Sequence, residues 1–108
     1  MEKYLTVTGG SAAYYSDGKA IKLGKGSGNT KDNTIITFKF DGATLDHAIV
    51  YAQKYTSDNS FLNGTIELTS EFVGYEVAAT DNALSLWSEA TSKWRILISK
   101  IEFFYTVA

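Results

Sequence analysis

The stretch Thr34-Ile35-Ile36-Thr37-Phe38-Lys39-Phe40, followed by Asp41-Gly42, decides the fold class. Ile36, Phe38 and Phe40 fall on one side and Ile35, Thr37 and Lys39 on the other, the period of two expected of a strand with one wet face. Asp41-Gly42 then turns the chain. Working outward, His47 to Tyr55 sets Ile49, Tyr51, Gln53 and Tyr55 against Ala48, Val50, Ala52 and Lys54, apolar on both sides at first, which suits a central strand. On this reading Thr44-Leu45 belongs to the turn and His47 opens the strand, partly exposed. Thr65 to Ser70 alternates with Ile66 and Leu68 inward, and it follows Asn63-Gly64, a strong hairpin dipeptide whose residues accept positive φ. Tyr75 to Thr80, Ala83 to Trp87, Trp94 to Ser99 and Lys100 to Val107 read as further strands, with Lys3 to Thr8 and Ala20 to Leu23 near the start.

About nine short strands result, with no more than a turn of helix. A single open sheet of that size would leave one apolar face and two long edges in water. The expectation is therefore all-β, a two-sheet antiparallel β-sandwich, with residues 1–108 as one domain.

Composition agrees with this class. The chain has 108 residues, 44% of them apolar and 20% charged, with 7 Tyr and 6 Phe, enough for a conventional core. There is no Pro and no Cys, which removes disulfides, thiolate metal clusters and thiol nucleophiles from consideration. The net charge of −2 lacks the basic footprint of duplex nucleic-acid binders, so nucleic acid is not an expected partner. No run approaches the ~18 apolar residues of a membrane span, so membrane insertion is not expected either. Met1-Glu2-Lys3-Tyr4 opens directly into alternation, unlike a signal peptide, and suggests a mature or excised domain.

The catalytic and metal motifs fall away one at a time. Gly24, Gly26 and Gly28 match no phosphate-loop spacing and lead toward a strand, so they read as a connecting loop. His47 is the only histidine, and nothing nearby completes a relay or a histidine-based metal site. Asp17, Asp32, Asp41, Asp46, Asp58 and Asp81 all fall in expected turns, where aspartate bonds its own backbone. Structural calcium would draw on Asp58-Asn59 or Asp81-Asn82, but no D-x-[DN]-x-[DN]-G loop is present, and these read as turn residues. No cofactor is expected, and an enzyme is the minority reading. Asn63-Gly64-Thr65 matches a glycosylation sequon and reads first as a hairpin turn.

The aromatics carry most of the functional signal. Tyr14, Tyr15, Tyr55, Trp87 and Trp94 lie at strand ends and loops, where a flat ring meets the apolar face of a sugar while its polar tip stays hydrated. Trp87 breaks the inward phase of Leu84 and Leu86 and points outward; Trp94 shares the phase of Ile96 and Ile98 and points inward. Lys19, Lys22, Lys25 and Lys31 form a basic, solvated patch beside Tyr14-Tyr15. The expected ligand contacts are Trp87, Tyr14, Tyr15 and Tyr55 as rings, with Asp58 and Asn59 bonding hydroxyls. In a competing arrangement Ile35, Tyr51 and Phe104 form an apolar patch that docks a protein.

Three stretches carry a resemblance: Ala20-Ile21-Lys22-Leu23-Gly24 with the glycine/lysine loop and Thr34-Ile35-Ile36-Thr37-Phe38; His47 to Tyr55 with Thr56-Ser57-Asp58; and Trp94 to Tyr105. In strand and turn pattern they resemble bacterial extracellular jelly-roll modules similar to carbohydrate-binding modules, often attached to secreted enzymes or surface proteins. The resemblance implies a jelly-roll sandwich that is a non-catalytic domain of a larger secreted or cell-surface protein, with a polysaccharide or glycan and neighbouring domains as partners. Members of that group differ most at the loops where ligands sit, so no binding residue is carried over.

Overall fold

A computed structural model describes residues 5–9, 13–16, 20–23, 34–54, 60–90 and 96–107. The elements placed there are eleven strands: β1 (Leu5–Gly9), β2 (Ala13–Ser16), β3 (Ala20–Leu23), β4 (Ile36–Phe40), β5 (Ala43–Lys54), β6 (Ser60–Leu62), β7 (Ile66–Glu67), β8 (Val73–Ala78), β9 (Ala83–Leu86), β10 (Ser88–Ala90) and β11 (Ile96–Val107). Eight of them have four residues or more. The chain is all-β and every strand pairing is antiparallel. The strands form sheets in the orders β1-β4-β9, β10-β6-β7 and β2-β3-β11-β5-β8, none of them closed into a barrel.

Alternation explains which face each strand buries. Ile36, Phe38 and Phe40 of β4 are buried beside Leu84 and Leu86 of β9, while Thr37 and Ser85, opposite one another, join hydroxyls at 3.1 Å on the outer side. The five-stranded sheet buries Leu23, Ala48, Val50, Ala52, Ile96 and Ile98. The β1-β4-β9 sheet and the five-stranded sheet meet ring to ring: Phe103 lies 5.5 Å from Phe38 and 5.2 Å from Phe40, and Tyr105 lies 5.4 Å from Phe40. Tilted aromatic pairs at these separations add about 1 kcal/mol each beyond the area they bury.

Several sequence boundaries shift. Trp94–Ser99 and Lys100–Val107, expected as two strands, join in β11, twelve residues long from Ile96. Its register against β5 slips between Ile98 and Lys100, so the inward set changes from Ile96 and Ile98 to Ile101, Phe103 and Tyr105. Such a bulge adds one unpaired residue and reverses the phase of everything after it. β5 begins at Ala43 rather than His47, with Ala43 and Leu45 buried, so Thr44-Leu45 is strand rather than turn. The strand expected over Ala83–Trp87 ends at Leu86 as β9, and Trp87 lies between it and a further strand, β10, at Ser88–Ala90.

Two turns behave as their residues demand. Asn63 and Gly64 take φ of 55° and 73° between β6 and β7, closed by the Thr65 amide donating to the Leu62 carbonyl at 3.3 Å. Asp81 and Asn82, at φ 53° and 60°, sit between the doubly bonded Thr80 and Ala83. Positive φ at both central positions matches the right-handed twist of the flanking strands, and Asn and Asp are the side-chain-bearing residues that tolerate it best.

Candidate functional site

The central β5–β11 pair of the five-stranded sheet carries a second register slip, between Phe104 and Tyr105, where Phe104 faces His47 and Tyr105 faces Leu45. Asp46 is the residue left over. Upstream of it Ala43 and Leu45 point inward; downstream Ala48, Val50 and Ala52 do. Asp46 and His47 consequently point outward in succession, which strict alternation forbids. His47 is thus a mid-strand bulge residue rather than a strand opener. Its ring stacks on Phe104 at 4.5 Å with an 8° tilt, and its Nδ1 is hydrogen-bonded to an Asp46 carboxylate oxygen. Phe104 stays 45% exposed, and the Asp46 side chain 83%.

The same face continues toward the other bulge. Tyr51 donates its hydroxyl to Glu102 Oε1 at 2.9 Å, Lys100 Nζ lies 5.2 Å from the centre of the Tyr51 ring, and Lys100 and Glu102 pair at 3.5 Å. By accepting that hydrogen bond and by its charge, Glu102 holds the Tyr51 phenol above its ordinary value of 10.0, with Lys100 acting in the opposite direction. Tyr51 lies flat because its neighbour on β8 is Gly74: a Cβ there would meet Tyr51 Cε2 and Ile49 Cγ2 at 2.9 Å. The result is a strip of rings, His47, Phe104 and Tyr51, edged by Asp46, Glu102 and Lys100. Flat apolar faces beside hydrogen-bonding groups suit a ligand with both C–H faces and hydroxyls.

Trp87 lies elsewhere. Between buried Leu86 and Ser88 it is half-buried and outward, as its phase predicts. Asn63 holds its backbone at both ends: the Trp87 amide donates to Asn63 Oδ1 at 3.0 Å, and the Asn63 amide donates to the Trp87 carbonyl at 3.0 Å. Asn63 Nδ2 also donates to Ser85, so the sequon asparagine is committed to the fold. One step beyond the Ile36–Leu86 pair, the β4–β9 register places Ile35 opposite Trp87.

These positions divide the expected site. Trp87 lies where the chain passes from β9 to β10, beside the β6–β7 turn, whereas Tyr14 and Tyr15 lie on β2, an outermost strand of the five-stranded sheet, at register positions opposite Lys22 and Ile21. Tyr55, Asp58, Asn59 and Trp94 lie outside the described residues. The apolar trio separates as well: Tyr51 and Phe104 share a face, and Ile35 is on the other layer beside Trp87. Lys22 is 8% exposed and so forms no part of a solvated patch; Lys19, Lys25 and Lys31 lie outside the described residues.

The cation reading of Asp81-Asn82 also changes. Asn82 Oδ1 accepts the Leu45 amide at 2.7 Å, and Nδ2 donates to the carbonyls of Phe40 and Ala43 at 2.9 and 2.8 Å, so its amide serves the fold. Among the described residues no three His, Cys, Asp or Glu gather as metal ligands would.

Sequence reasoning missed His47 and Phe104 as a pair. The available signal was the phase change in β5, where Leu45 and Ala48, three apart, cannot share a face of an unbroken strand. No protein-family model matches the chain, and no curated protein matches it.

Proposed function

We propose that this chain is a non-catalytic module of a larger secreted or cell-surface bacterial protein, and that it binds a polysaccharide through the ring strip on the outer face of the five-stranded sheet. The observation that carries the reading is the parallel His47–Phe104 stack, exposed at Phe104 and flanked by the Asp46 carboxylate. Packed against each other, the two rings are held in place with little side-chain entropy left to lose and leave the solvent side of Phe104 as an apolar contact, and the neighbouring carboxylate accepts hydrogen bonds from sugar hydroxyls. The finer architecture belongs to the same proposal: a two-layer sandwich wound as a jelly roll. It is supported by the chain crossing between layers from β4 to β5, from β8 to β9 and again to β11, with β11 seated between β3 and β5.

The test is retention of the chain on insoluble polysaccharides and in affinity electrophoresis against a soluble panel, with and without chelator. Phe104→Ala and His47→Ala should weaken retention about tenfold, the factor that ~1.4 kcal/mol of lost contact produces. Retention unchanged in both variants refutes this face. A loss confined to Trp87→Ala moves the contact to the β9–β10 junction.

A second reading, a structural or adhesive domain that docks another domain or protein, draws on the exposed Phe72, Val73, Phe104 and Val107. It predicts no retention on any polysaccharide.

A further inference from the structure

Beyond glycan binding, the five-stranded sheet carries an edge suited to self-association. β8 is outermost in the order β2-β3-β11-β5-β8, so one of its sides has no strand partner among the described residues. At six residues it is longer than every other outermost strand: β1 has five, β2 and β9 four, β10 three and β7 two.

The direction of its backbone groups follows from one bond and the register. The Ala79 amide donates to the Asp46 carbonyl at 3.2 Å. Continuing from there, Ala78 faces His47, Val77 faces Ala48, Glu76 faces Ile49, Tyr75 faces Val50, Gly74 faces Tyr51 and Val73 faces Ala52. Bonded and non-bonded pairs alternate along an antiparallel ladder. Val77, Tyr75 and Val73 therefore bond to β5, and the N–H and C=O groups of Gly74, Glu76 and Ala78 point to the open side.

Sheet edges are normally blunted by proline, lysine, a bulge or very short length. β8, with the sequence Val-Gly-Tyr-Glu-Val-Ala, has no Pro, no Lys and an unbroken register, and its one charge is Glu76. Phe72 and Val73, each 40% exposed, stand at its start.

We infer that this edge pairs antiparallel with the same edge of a second copy of the chain, about a twofold axis at Tyr75. The occupant is set by the strand's own complementarity. Because Gly74, Glu76 and Ala78 carry the outward groups, the twofold must pass through a residue rather than between two, and an axis at Tyr75 or Glu76 faces the most of the strand with itself. An axis at Glu76 sets two carboxylates directly opposite one another, which disfavours pairing. One at Val77 leaves only residues 76–78 facing within the strand. With the axis at Tyr75, Gly74 meets the second copy's Glu76, Val73 meets its Val77, Tyr75 meets its Tyr75, and exposed Phe72 meets its Ala78. The apolar inner row continues across the junction, and the two Gly74–Glu76 pairs contribute about four ladder hydrogen bonds.

Sedimentation velocity from about 10 µM to about 1 mM tests this, a range suited to a small interface. A reversible monomer–dimer equilibrium is expected. Glu76→Pro removes an N–H directed away from β5 and takes two hydrogen bonds from the dimer, raising the dissociation constant about tenfold or more. If that variant does not fold, Val73→Lys makes the same test by setting a charge against the second copy's Val77. Because the chain has no cysteine, register is read directly: under mild oxidation Tyr75→Cys should form a disulfide dimer many times faster than Glu76→Cys. A chain that stays monomeric throughout, a folded Glu76→Pro or Val73→Lys variant that dimerises like the parent, or equal cross-linking of the two cysteine variants overturns the inference.

Discussion

Replacing Asn82 by alanine should remove a large share of the stability of this fold. The Asn82 side chain joins two turns distant in sequence, accepting from Leu45 at 2.7 Å and donating to Phe40 and Ala43 at 2.9 and 2.8 Å. Each lost bond costs about 1 kcal/mol, more where the abandoned group is shielded from water. Alanine at φ 60° adds about 1 kcal/mol of backbone cost that asparagine largely escapes. The sum is about 4 kcal/mol against a typical total of 5–15 kcal/mol, or roughly 15 °C in Tm for a chain of this length. Urea unfolding followed by tryptophan fluorescence and circular dichroism measures it. Asn82→Gly isolates the hydrogen bonds, because glycine accepts positive φ, and should lose about 3 kcal/mol. Asn82→Asp keeps an acceptor for Leu45 but turns a carboxylate oxygen toward two carbonyls, and should be no more stable than Asn82→Gly. A loss below about 1 kcal/mol in Asn82→Ala, or a fully stable Asn82→Asp, refutes the reasoning.

Other outcomes follow from the same coordinates. Glu102→Gln removes the charge that holds the Tyr51 phenol up, so its titration, read at 295 nm, should move down toward 10.0; an unmoved titration removes Glu102 as the cause. Because the folded value is raised, the stability this phenol contributes is fully present below its unfolded value of about 10 and disappears as pH rises through the higher folded value. The alkaline fall in Tm should therefore be less steep in Tyr51→Phe. Gly74→Ala forces Tyr51 and Ile49 to shift from contacts of 2.9 Å and should cost about 1–3 kcal/mol in chemical denaturation. Phe104→Ala, at a position 45% exposed, should lower stability by no more than about 1 kcal/mol while weakening glycan retention, a separation that a core residue would not show.

How much of this was legible in the sequence depends on phase. Ile36, Phe38 and Phe40 show it unbroken, and their strand and inward face are as the period of two predicts. Asn63-Gly64 turned as its chemistry requires because the constraint is local: the two residues accept the φ values unaided. Trp87 took its outward direction from buried Leu84 and Leu86, two neighbours in one strand. What alternation could not supply was the join at Ser99 and the leftover Asp46. Both are settled by the partner strand, through which residue of β11 faces which residue of β5. The grouping of candidate contacts was hidden for a similar reason. Tyr14 and Trp87 both look like strand-end rings in a linear chain, and only the strand pairing puts Tyr14 on the five-stranded sheet and Trp87 at the β9–β10 junction.

The two bulges in the β5–β11 pair explain why the ring strip lies where it does. An uninterrupted ladder of this length would be simpler to fold, since each bulge leaves a residue unpaired. One slip turns Ile101, Phe103 and Tyr105 toward the core, where Phe103 meets Phe38 and Phe40 and Tyr105 meets Phe40, while Lys100 stays outside with Ser99. The other adds Asp46 outward next to His47, whose ring stacks on Phe104. Asn82 fixes the amide of Leu45, the residue before Asp46, and Ala79 donates to the Asp46 carbonyl, so the bulge is held from two directions. If the strip serves binding, deleting Asp46 should restore continuous pairing without abolishing the fold, because Leu45 would then directly precede His47. The variant would keep His47 outward and opposite Phe104 and lose only the Asp46 carboxylate beside the stack. Retained folding by circular dichroism with weakened glycan retention is the expected outcome; retention equal to the parent's would show that the Asp46 carboxylate takes no part in binding.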